Sequence, residues 1–316
     1  GSEMCIRDRV GPAPTLPGIL GASAPKINNA DMKSYGWEME LSWRDRIEDF
    51  NYGVRFTLAD GQRKVLKYPN ESGDIYSWYN NKLDGTIWGY TTVGIAQTQE
   101  EMNAHLANNK PNWGSNWGAG DIMYADLNGD GEVTSGSKTL NDHGDLKIIG
   151  NSYARYNFGF TVDGSWRGLD FSIFLQGTMK RDYWLDGPYF WGASGDEWQS
   201  ACFTEHLDYW TPEHTNAYYP KPYFGNIKKN QEVQSGYLQN AAYLRVKNVQ
   251  VGYTLPKSWT KKAAMESVRF YVSGDNLLTW TGISSIFDPE TLGGDWGPGK
   301  LYPLQRTLSV GVNVNF

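Results

Sequence analysis

The chain has 316 residues, a formal net charge of -6 and a pI near 5.3. This mildly acidic balance, without a basic arm or a long run of Lys and Arg, excludes nucleic acid as an expected partner. No run of about 18 apolar residues occurs, which excludes a transmembrane helix. Aromatic residues make up 15% of the chain, with 14 Trp and 20 Tyr. That content is typical of membrane-interface girdles and sugar-binding surfaces.

Residues 1–9 resemble a translated adapter or assembly scar. We therefore expect them to carry no information about the fold. Cys5 lies within this stretch and Cys202 lies far along the chain, so the two cysteines do not indicate a disulfide framework.

Apolar and polar residues alternate with period two in seven segments, which predicts β-strands with one apolar and one polar face. The polar faces include charged residues. We expect tight turns at Asp60-Gly61-Gln62 and between Trp166 and Leu169. In chain order the alternating segments cover 37–43, 52–58, 156–162, 171–175, 249–255, 268–272 and 308–316.

The last of these segments is the most regular. Because about 9–11 tilted residues cross a bilayer as a strand, we expect it to be the strand that closes a barrel. Its apolar residues alternate with Ser, Gly and Asn and end on an aromatic residue; they are Leu308, Val310, Val312, Val314 and Phe316.

Alternation alone is also typical of a soluble β-sandwich. A barrel is favoured because the polar faces carry charges such as Glu38, Arg55 and Asp163, while the apolar faces carry bulky aromatics near strand ends. The connections are asymmetric as well, with long loops at 72–151 and 179–239 and tight turns elsewhere. This asymmetry is typical of an outer-membrane barrel with long extracellular loops.

A short helix is predicted within the first long loop, at about 100–108. Thr98 and Glu101 form a capping box at its start. Met102 and Leu106 lie four residues apart, so they would share one face of this helix.

The segment Asp126–Val133 matches the first eight positions of a calcium-binding loop, in which oxygen side chains converge on a hard cation. Ser137 stands where such a loop usually places a bidentate Glu, so Asp142 or Asp145 would complete the shell. The alternative is a polar turn that needs no metal. The predicted Ca²⁺ ligands are Asp126, Asn128, Asp130, Glu132 and Asp142.

Both long loops are crowded with aromatic residues and interleaved Asp, Asn and Gln. Such side chains can stack on sugar faces and hydrogen-bond to hydroxyl groups. The alternative is that large loops pack their rings into a core of their own, and we expect this for most of the rings. The candidates for substrate contact are Trp88, Trp113, Trp117, Trp184, Trp191 and Trp198.

Signals for catalysis are weak. Carboxylate pairs occur at Asp196-Glu197 and at Asp288-Pro289-Glu290, as glycosidases require, but such pairs are common by chance. The four histidines lack metalloprotease spacing, and neither a nucleophile elbow nor a phosphate loop appears. We therefore expect no enzymatic activity.

Segments in a consistent order and spacing resemble the SusC/RagA type of TonB-linked outer-membrane transporter of Bacteroidota. The resemblance covers nearly all of residues 16–316. It rests on LPGILGA at 16–22, GWE at 36–38, GIAQ at 94–97, GDIMYADLNGDG at 120–131, IIGN at 148–151, YWTPE at 209–213, AYLRVKN at 242–248, SGDNL at 273–277, FDPE at 287–290 and the strand at 306–316.

This resemblance implies an all-β fold made of about the last eight strands of a large antiparallel transmembrane barrel. Plugged barrels of this kind have about 22 strands. The long extracellular loops would contain the short helix. Residues 10–316 would be the C-terminal part of a TonB-dependent receptor barrel, with the plug and the N-terminal strands missing.

The resemblance also implies a function and partners. The expected function is import of a glycan, oligosaccharide or peptide across the outer membrane. The expected partners are a SusD-like surface lipoprotein, TonB through the missing N-terminal region, and the lipid bilayer. The alternative is a secreted calcium-dependent carbohydrate-binding β-protein, and the expected cofactor in either case is Ca²⁺.

Overall fold

A computed structural model describes residues 4–11, 27–192, 202–223, 229–293 and 297–316. Within these residues the helices are α1 (Gln99–Leu106), α2 (Pro188–Trp191) and α3 (Lys257–Thr260), with 3₁₀ turns at Thr204–Leu207, Ser235–Tyr237 and Lys261–Ala263. The strands are β1 (Met4–Gly11), β2 (Ile27–Ile47), β3 (Phe50–Lys67), β4 (Thr86–Gly89), β5 (Thr92–Ile95), β6 (Lys110–Pro111), β7 (Ile122–Tyr124), β8 (Glu132–Val133), β9 (Lys147–Asn151), β10 (Arg155–Trp166), β11 (Leu169–Lys180), β12 (Asp182–Tyr183), β13 (Gln239–Thr254), β14 (Ser267–Gly282) and β15 (Thr307–Asn315).

One large antiparallel sheet dominates the fold. Eight strands are paired in the order β1-β2-β3-β10-β11-β13-β14-β15, and the short β12 adds to β13. The predicted all-β antiparallel fold is therefore confirmed. Among the described helices, none is both long enough and apolar enough to cross a membrane.

The register places apolar residues of neighbouring strands side by side on one face. Val251 pairs with Phe171 and with Val272, and Val272 pairs in turn with Val310. These positions are exposed, with Val251 at 45%, Val272 at 54% and Val310 at 82%. A contiguous exposed apolar face of this kind is typical of a barrel that faces lipid.

The opposite face is polar along the same strands. Gln250 pairs with Ser172 and Ser273, and Ser273 pairs with Ser309. Because strand side chains alternate between faces, a shift of one residue would exchange the two surfaces completely. The register therefore decides which face is apolar and which is polar.

Glycines on this polar face make room for large polar side chains. A Cβ at Gly252 would collide with the guanidinium of Arg269, whose Nε donates to Asp170 at 2.9 Å. Likewise, a Cβ at Gly311 would collide with the ring of Tyr271. The small residues in these strands therefore serve packing across the face rather than turns.

Aromatic residues lie together on the apolar face where the hairpins turn. Along one row of the register, Phe50 pairs with Trp166, Trp166 with Leu169, Leu169 with Tyr253 and Tyr253 with Phe270. We call these five residues the turn-end row. Aromatic girdles of this type mark the level of a membrane interface.

One predicted turn is confirmed and one is wrong. The turn between Trp166 and Leu169 joins β10 to β11 as expected. Asp60-Gly61-Gln62, however, lies inside β3, and Gly61 pairs with Gly36 of β2. The reason is close backbone approach, since a Cβ on Gly36 would collide with the carbonyl oxygen of Asp60. The β2–β3 turn lies instead at residues 48–49.

Residues 4–11 form β1, which pairs with β2 from Met4–Tyr35 to Gly11–Ile27. The structure therefore places part of segment 1–9 in the sheet. This differs from our expectation that the segment would carry no information about the fold. Its origin as an adapter stays a prediction.

The last predicted strand is confirmed as β15. It pairs with β14, for example Val310 with Val272 and Val314 with Val268, and its other edge carries no partner strand among the described residues. An edge of unpaired backbone groups is open to a further strand. Closure of a barrel by this edge stays a prediction.

The two-faced sheet predicts opposite responses to arginine at adjacent positions. Val251→Arg places a charge on the apolar face and should destabilise the inserted sheet by about 2–4 kcal/mol at mid-membrane depth. Gln250→Arg, one residue away on the polar face, should be tolerated. The measurement is heat-modifiable gel mobility of membrane-inserted protein during denaturant titration. Equal effects of the two variants would contradict the assignment of faces.

Candidate functional site

The two long connections fold together at the end of the sheet opposite the turn-end row. The described residues 68–154, 181–192, 202–223 and 229–238, with 283–293 from the β14–β15 connection, share one hydrophobic core; we call this the loop body. Three short strand pairs, β4–β9, β5–β7 and β6–β8, brace the first connection. The core residues are Ile75, Tyr90, Ile122, Tyr124, Val133, Leu146, Leu185, Phe190, Trp191, Tyr219, Tyr237, Ala241, Ile283, Phe287 and Leu292.

The predicted loop helix is confirmed as α1, with bounds shifted slightly toward the N-terminus. Thr98 Oγ1 accepts from the N–H of Glu101 at 3.1 Å, as an N-cap should. The Glu101 carboxylate accepts instead from Gln97 N at 2.6 Å, so the capping box is displaced by one residue. Met102 is buried, and this fixes the helix against the loop body.

A buried ion pair joins the two long connections. Lys229 Nζ lies 2.6 Å from Asp121 Oδ2, and both side chains are at most 1% exposed. The ammonium group also donates to Asn116 O at 2.6 Å and lies 5.2 Å from the ring centre of Trp117 and 4.3 Å from that of Tyr223. Such complete pairing is what a buried charge requires.

Asn230 extends this contact. Its Nδ2 donates to Asp121 Oδ1 at 3.0 Å, and its Oδ1 accepts from Ile122 N at 3.0 Å. The second connection thereby holds the start of β7 in the first. The residues were not singled out in the sequence, because a lone Lys and a lone Asp 108 positions apart carry no pattern.

Trp113 and Trp117, two candidate tryptophans of the first connection, are half-buried and pack against the core. Trp113 stacks on Tyr90 with ring centres 4.6 Å apart and meets Tyr124 edge-on at 5.2 Å. Trp117 meets Tyr124 edge-on at 6.1 Å. Burial raises the pKa of both tyrosines well above the ordinary value. These rings therefore act mainly as core, as the self-packing alternative expects.

Two of the remaining candidate tryptophans also pack against other residues of the loop body. Trp88 packs against the core with its ring centre 5.3 Å from that of His143. Trp184 packs against Trp191 at 6.0 Å. Trp198 lies outside the described residues. Substrate contact by any of these rings stays a prediction.

Trp191 is the candidate that borders a cavity in the loop body. The cavity has a volume of about 250 Å³, and besides Trp191 its aromatic lining residues include Phe203, Tyr209, Tyr219 and Tyr223. Lys221, Asn230 and Gln231 supply polar groups at the same cavity. Sequence reasoning did not select these tyrosines, because ring content alone does not separate a lining residue from a core residue.

The predicted calcium loop forms a turn in which its side chains accept from its own backbone. Asp126 accepts from Gly129 N at 2.6 Å and from Gly131 N at 2.8 Å, and Asp130 accepts from Glu132 N at 2.9 Å. The amide of Gly131, then that of Gly129, lowers the pKa of Asp126. The carboxylate is therefore ionised and held in place at neutral pH.

The two candidates for completing the shell lie in different places. Asp142 is bound to Ser137, with Oδ2 at 2.9 Å from the backbone N and 2.7 Å from Oγ, on the neighbouring turn. Asp145 accepts instead from Leu127 N at 2.6 Å and Thr134 N at 2.7 Å. Among the described residues, no three His, Cys, Asp or Glu side chains converge as a metal-binding group.

The carboxylates considered for glycosidase chemistry are engaged in ion pairs. Arg245, 3% exposed, lies 2.8 Å from Asp288 and 3.0 Å from Glu290, and Lys247 lies 2.8 Å from Glu290. These contacts fasten the β14–β15 connection to β13. Asp196 and Glu197 lie outside the described residues.

Comparison with known proteins finds relatives that are named TonB-dependent receptors. TonB-dependent receptor P3 of Formosa agariphila is 26% identical over 331 residues, which covers 95% of this chain and 30% of that protein. TonB-dependent receptor SusC of Bacteroides thetaiotaomicron is 22% identical and covers 92% of this chain and 27% of that protein. No family model matches the chain.

Solved structures give the same fold. The RagAB peptide importer in its "open-open" state superposes with a TM-score of 0.69 at 20% identity, and the match covers 99% of this chain and 32% of that one. The chain is similar to a segment of the SusC/RagA type of TonB-dependent transporter. It spans about 30% of the length of these relatives. These relatives are receptors and transporters, which are not enzymes.

The buried ion pair predicts that the stability of the loop body depends on Lys229. Lys229→Met leaves Asp121 charged and unpaired in the core, which costs about 3–5 kcal/mol in local stability. Hydrogen exchange of the amides in β7 should become faster. Lys138→Met, which removes an exposed lysine of the same body, is the matched control. Unchanged exchange in Lys229→Met would contradict the role of the pair.

Proposed function

We propose that this chain works as part of an outer-membrane transporter that imports nutrients with energy delivered through TonB. The observation that carries the proposal is the combination of an exposed apolar sheet face with an aromatic loop body at one end of the same strands. Relatives that are named TonB-dependent receptors support it. The apolar face would meet the lipid of the outer membrane.

The SusC/RagA resemblance also supports a set of partners. We propose that the loop body faces outward, where a SusD-like surface lipoprotein would cover it. TonB would act through residues outside this chain. The polar face of the sheet, which includes an open hollow of about 750 Å³ lined by Arg44, Asp163 and Asp170 among others, would face the barrel lumen.

For the substrate we propose a glycan or a peptide that enters the aromatic cavity beside Trp191. Flat rings offer a stacking surface to sugar faces and to apolar side chains, and polar groups at Lys221 and Asn230 would fix orientation. RagAB is described as a peptide importer, so both classes belong in the test. The alternative of a secreted sugar-binding protein is less favoured because it would leave the apolar sheet face in water.

The test uses two tyrosine variants in the complete transporter that carries these residues. Tyr209→Ala removes a ring from the cavity wall, whereas Tyr302→Ala removes a ring that is 93% exposed and lies outside the cavity. Uptake of defined oligosaccharide and peptide mixtures is measured in cells with and without TonB. Tyr209→Ala should weaken uptake about tenfold, the equivalent of about 1.4 kcal/mol.

Three outcomes would contradict the proposal. Uptake that persists without TonB would contradict the transport mechanism. Equal effects of Tyr209→Ala and Tyr302→Ala would contradict the cavity as the substrate site. Recovery of the protein only in the soluble fraction would favour the secreted alternative.

We propose in addition that the Asp126–Val133 loop binds Ca²⁺ through Asp126, Asn128 and Asp130. Support comes from the residue types and spacing, and from an Asp126 carboxylate that backbone amides hold ionised. Asp145, which accepts from two backbone positions around this loop, is better placed than Asp142 to support the site. The ion would stabilise the turn that precedes β8.

Calcium should therefore protect the loop body. Asp130→Asn should lower Ca²⁺ affinity about tenfold, because it removes one charged oxygen ligand. Glu71→Gln makes the same change in charge at an exposed site in the same body and should have no effect. Titration calorimetry with Ca²⁺ and chelator checks this. Absence of heat in the unaltered protein would contradict the site.

A further inference from the structure

The connection between β13 and β14 differs from the other two hairpin turns of the sheet. It spans residues 255–266 and contains α3 and a 3₁₀ turn, whereas the β2–β3 and β10–β11 turns have two residues each. Trp259 is 62% exposed within it, and Lys257, Lys261 and Lys262 are exposed around the indole. We call this segment the basic turn.

The basic turn lies at the membrane-interface level of the sheet. It begins just after Tyr253 and ends shortly before Phe270, and these two paired residues belong to the turn-end row. Both are exposed on the apolar face, at 42% and 47%. A side chain such as Trp259, beyond an aromatic row of this kind, stands where an indole meets lipid headgroups.

The charge of the basic turn is not balanced by ion pairs within the part of the chain that the structure describes. Among the described residues, none forms an ion pair with Lys257, Lys261 or Lys262. In the neighbouring turn, by contrast, Arg167 is paired with Asp49 at 2.9 Å. Glu266 is the single acidic residue between 255 and 266. Three lysines of one short turn are therefore exposed without an ion pair among the described residues.

We propose that the basic turn binds the headgroups of anionic phospholipids in the leaflet at the turn end of the barrel. Lysine ammonium groups attract lipid phosphates at an anionic surface, and the indole inserts at the headgroup level. The occupant is a lipid because the turn continues directly into the lipid-facing strands. This inference rests on the proposed insertion of the sheet into a membrane.

The experiment is native mass spectrometry of the complete transporter in detergent, titrated with phosphatidylglycerol, with phosphatidylcholine and with inorganic phosphate. The test variant replaces Lys257, Lys261 and Lys262 with Gln. The matched control replaces Lys110, Lys138 and Lys147, three exposed lysines of the loop body, with Gln. Heat-modifiable gel mobility verifies in each case that the barrel is folded.

Phosphatidylglycerol should bind with preference over phosphatidylcholine. Loss of the three lysines of the basic turn should weaken the affinity for phosphatidylglycerol roughly fivefold for each charge, on the order of a hundredfold in total. The loop-body control should retain the affinity of the unaltered protein. Trp259→Ala should weaken phosphatidylglycerol binding without a change in its dependence on salt.

Several results would overturn the proposal. Unchanged phosphatidylglycerol binding in the basic-turn variant would do so, as would an equal loss in the loop-body control. Competition by inorganic phosphate at the same concentration would indicate a general anion site and not a lipid site. Absence of lipid binding to the folded, unaltered barrel would indicate that the lysines serve a protein partner instead. Absence of a heat-modifiable barrel would count against the proposed membrane function itself, which separates the two failures.

Discussion

Strand register is the constraint on which the rest of this structure depends. Within a bilayer every backbone N–H and C=O must be paired inside the protein, so the strands have to form a continuous ladder. The side chains alternate, and a shift of one residue would turn Val251 and Val272 toward the polar face. Glycines such as Gly252 and Gly311 keep the register compatible with large polar neighbours on the inner side. The apolar face, the polar face and the turn-end row all follow from this one register.

The loop body, at the end of the same strands, is stabilised mainly by packing of its side chains and by buried ion pairs. It has a core rich in aromatic rings, and the buried ion pair of Lys229 and Asp121 joins its two long connections. Because the pair joins the two long connections, the cavity beside Trp191 is held by both of them. The ion pairs of Arg245 fasten a third connection to the strand below. The candidate site is therefore rigidly linked to the barrel wall, as a binding surface on long loops requires.

Much of the sheet was predictable because alternation with period two is a local signal. The strands around 52–58, 156–162 and 308–316 could each be predicted from the alternation of their own residues alone. The prediction of a turn at Asp60-Gly61-Gln62 was wrong because the same Asp-Gly pair also suits close packing against Gly36, which lies in another strand. The long-range contacts were beyond reach for the same reason: no spacing rule connects Lys229 to Asp121, or separates the core ring of Trp113 from the cavity wall at Tyr209.

The central claim is that the loop body and the hairpin turns lie on opposite sides of an outer membrane. The direct test is labelling of intact cells with a membrane-impermeant maleimide, in the complete transporter with Cys5 and Cys202 replaced by Ser. Ser115→Cys in the loop body and Ser258→Cys in the basic turn are both exposed positions. The account predicts that residue 115 is labelled on intact cells and residue 258 only after permeabilisation. Equal labelling of both on intact cells would contradict it.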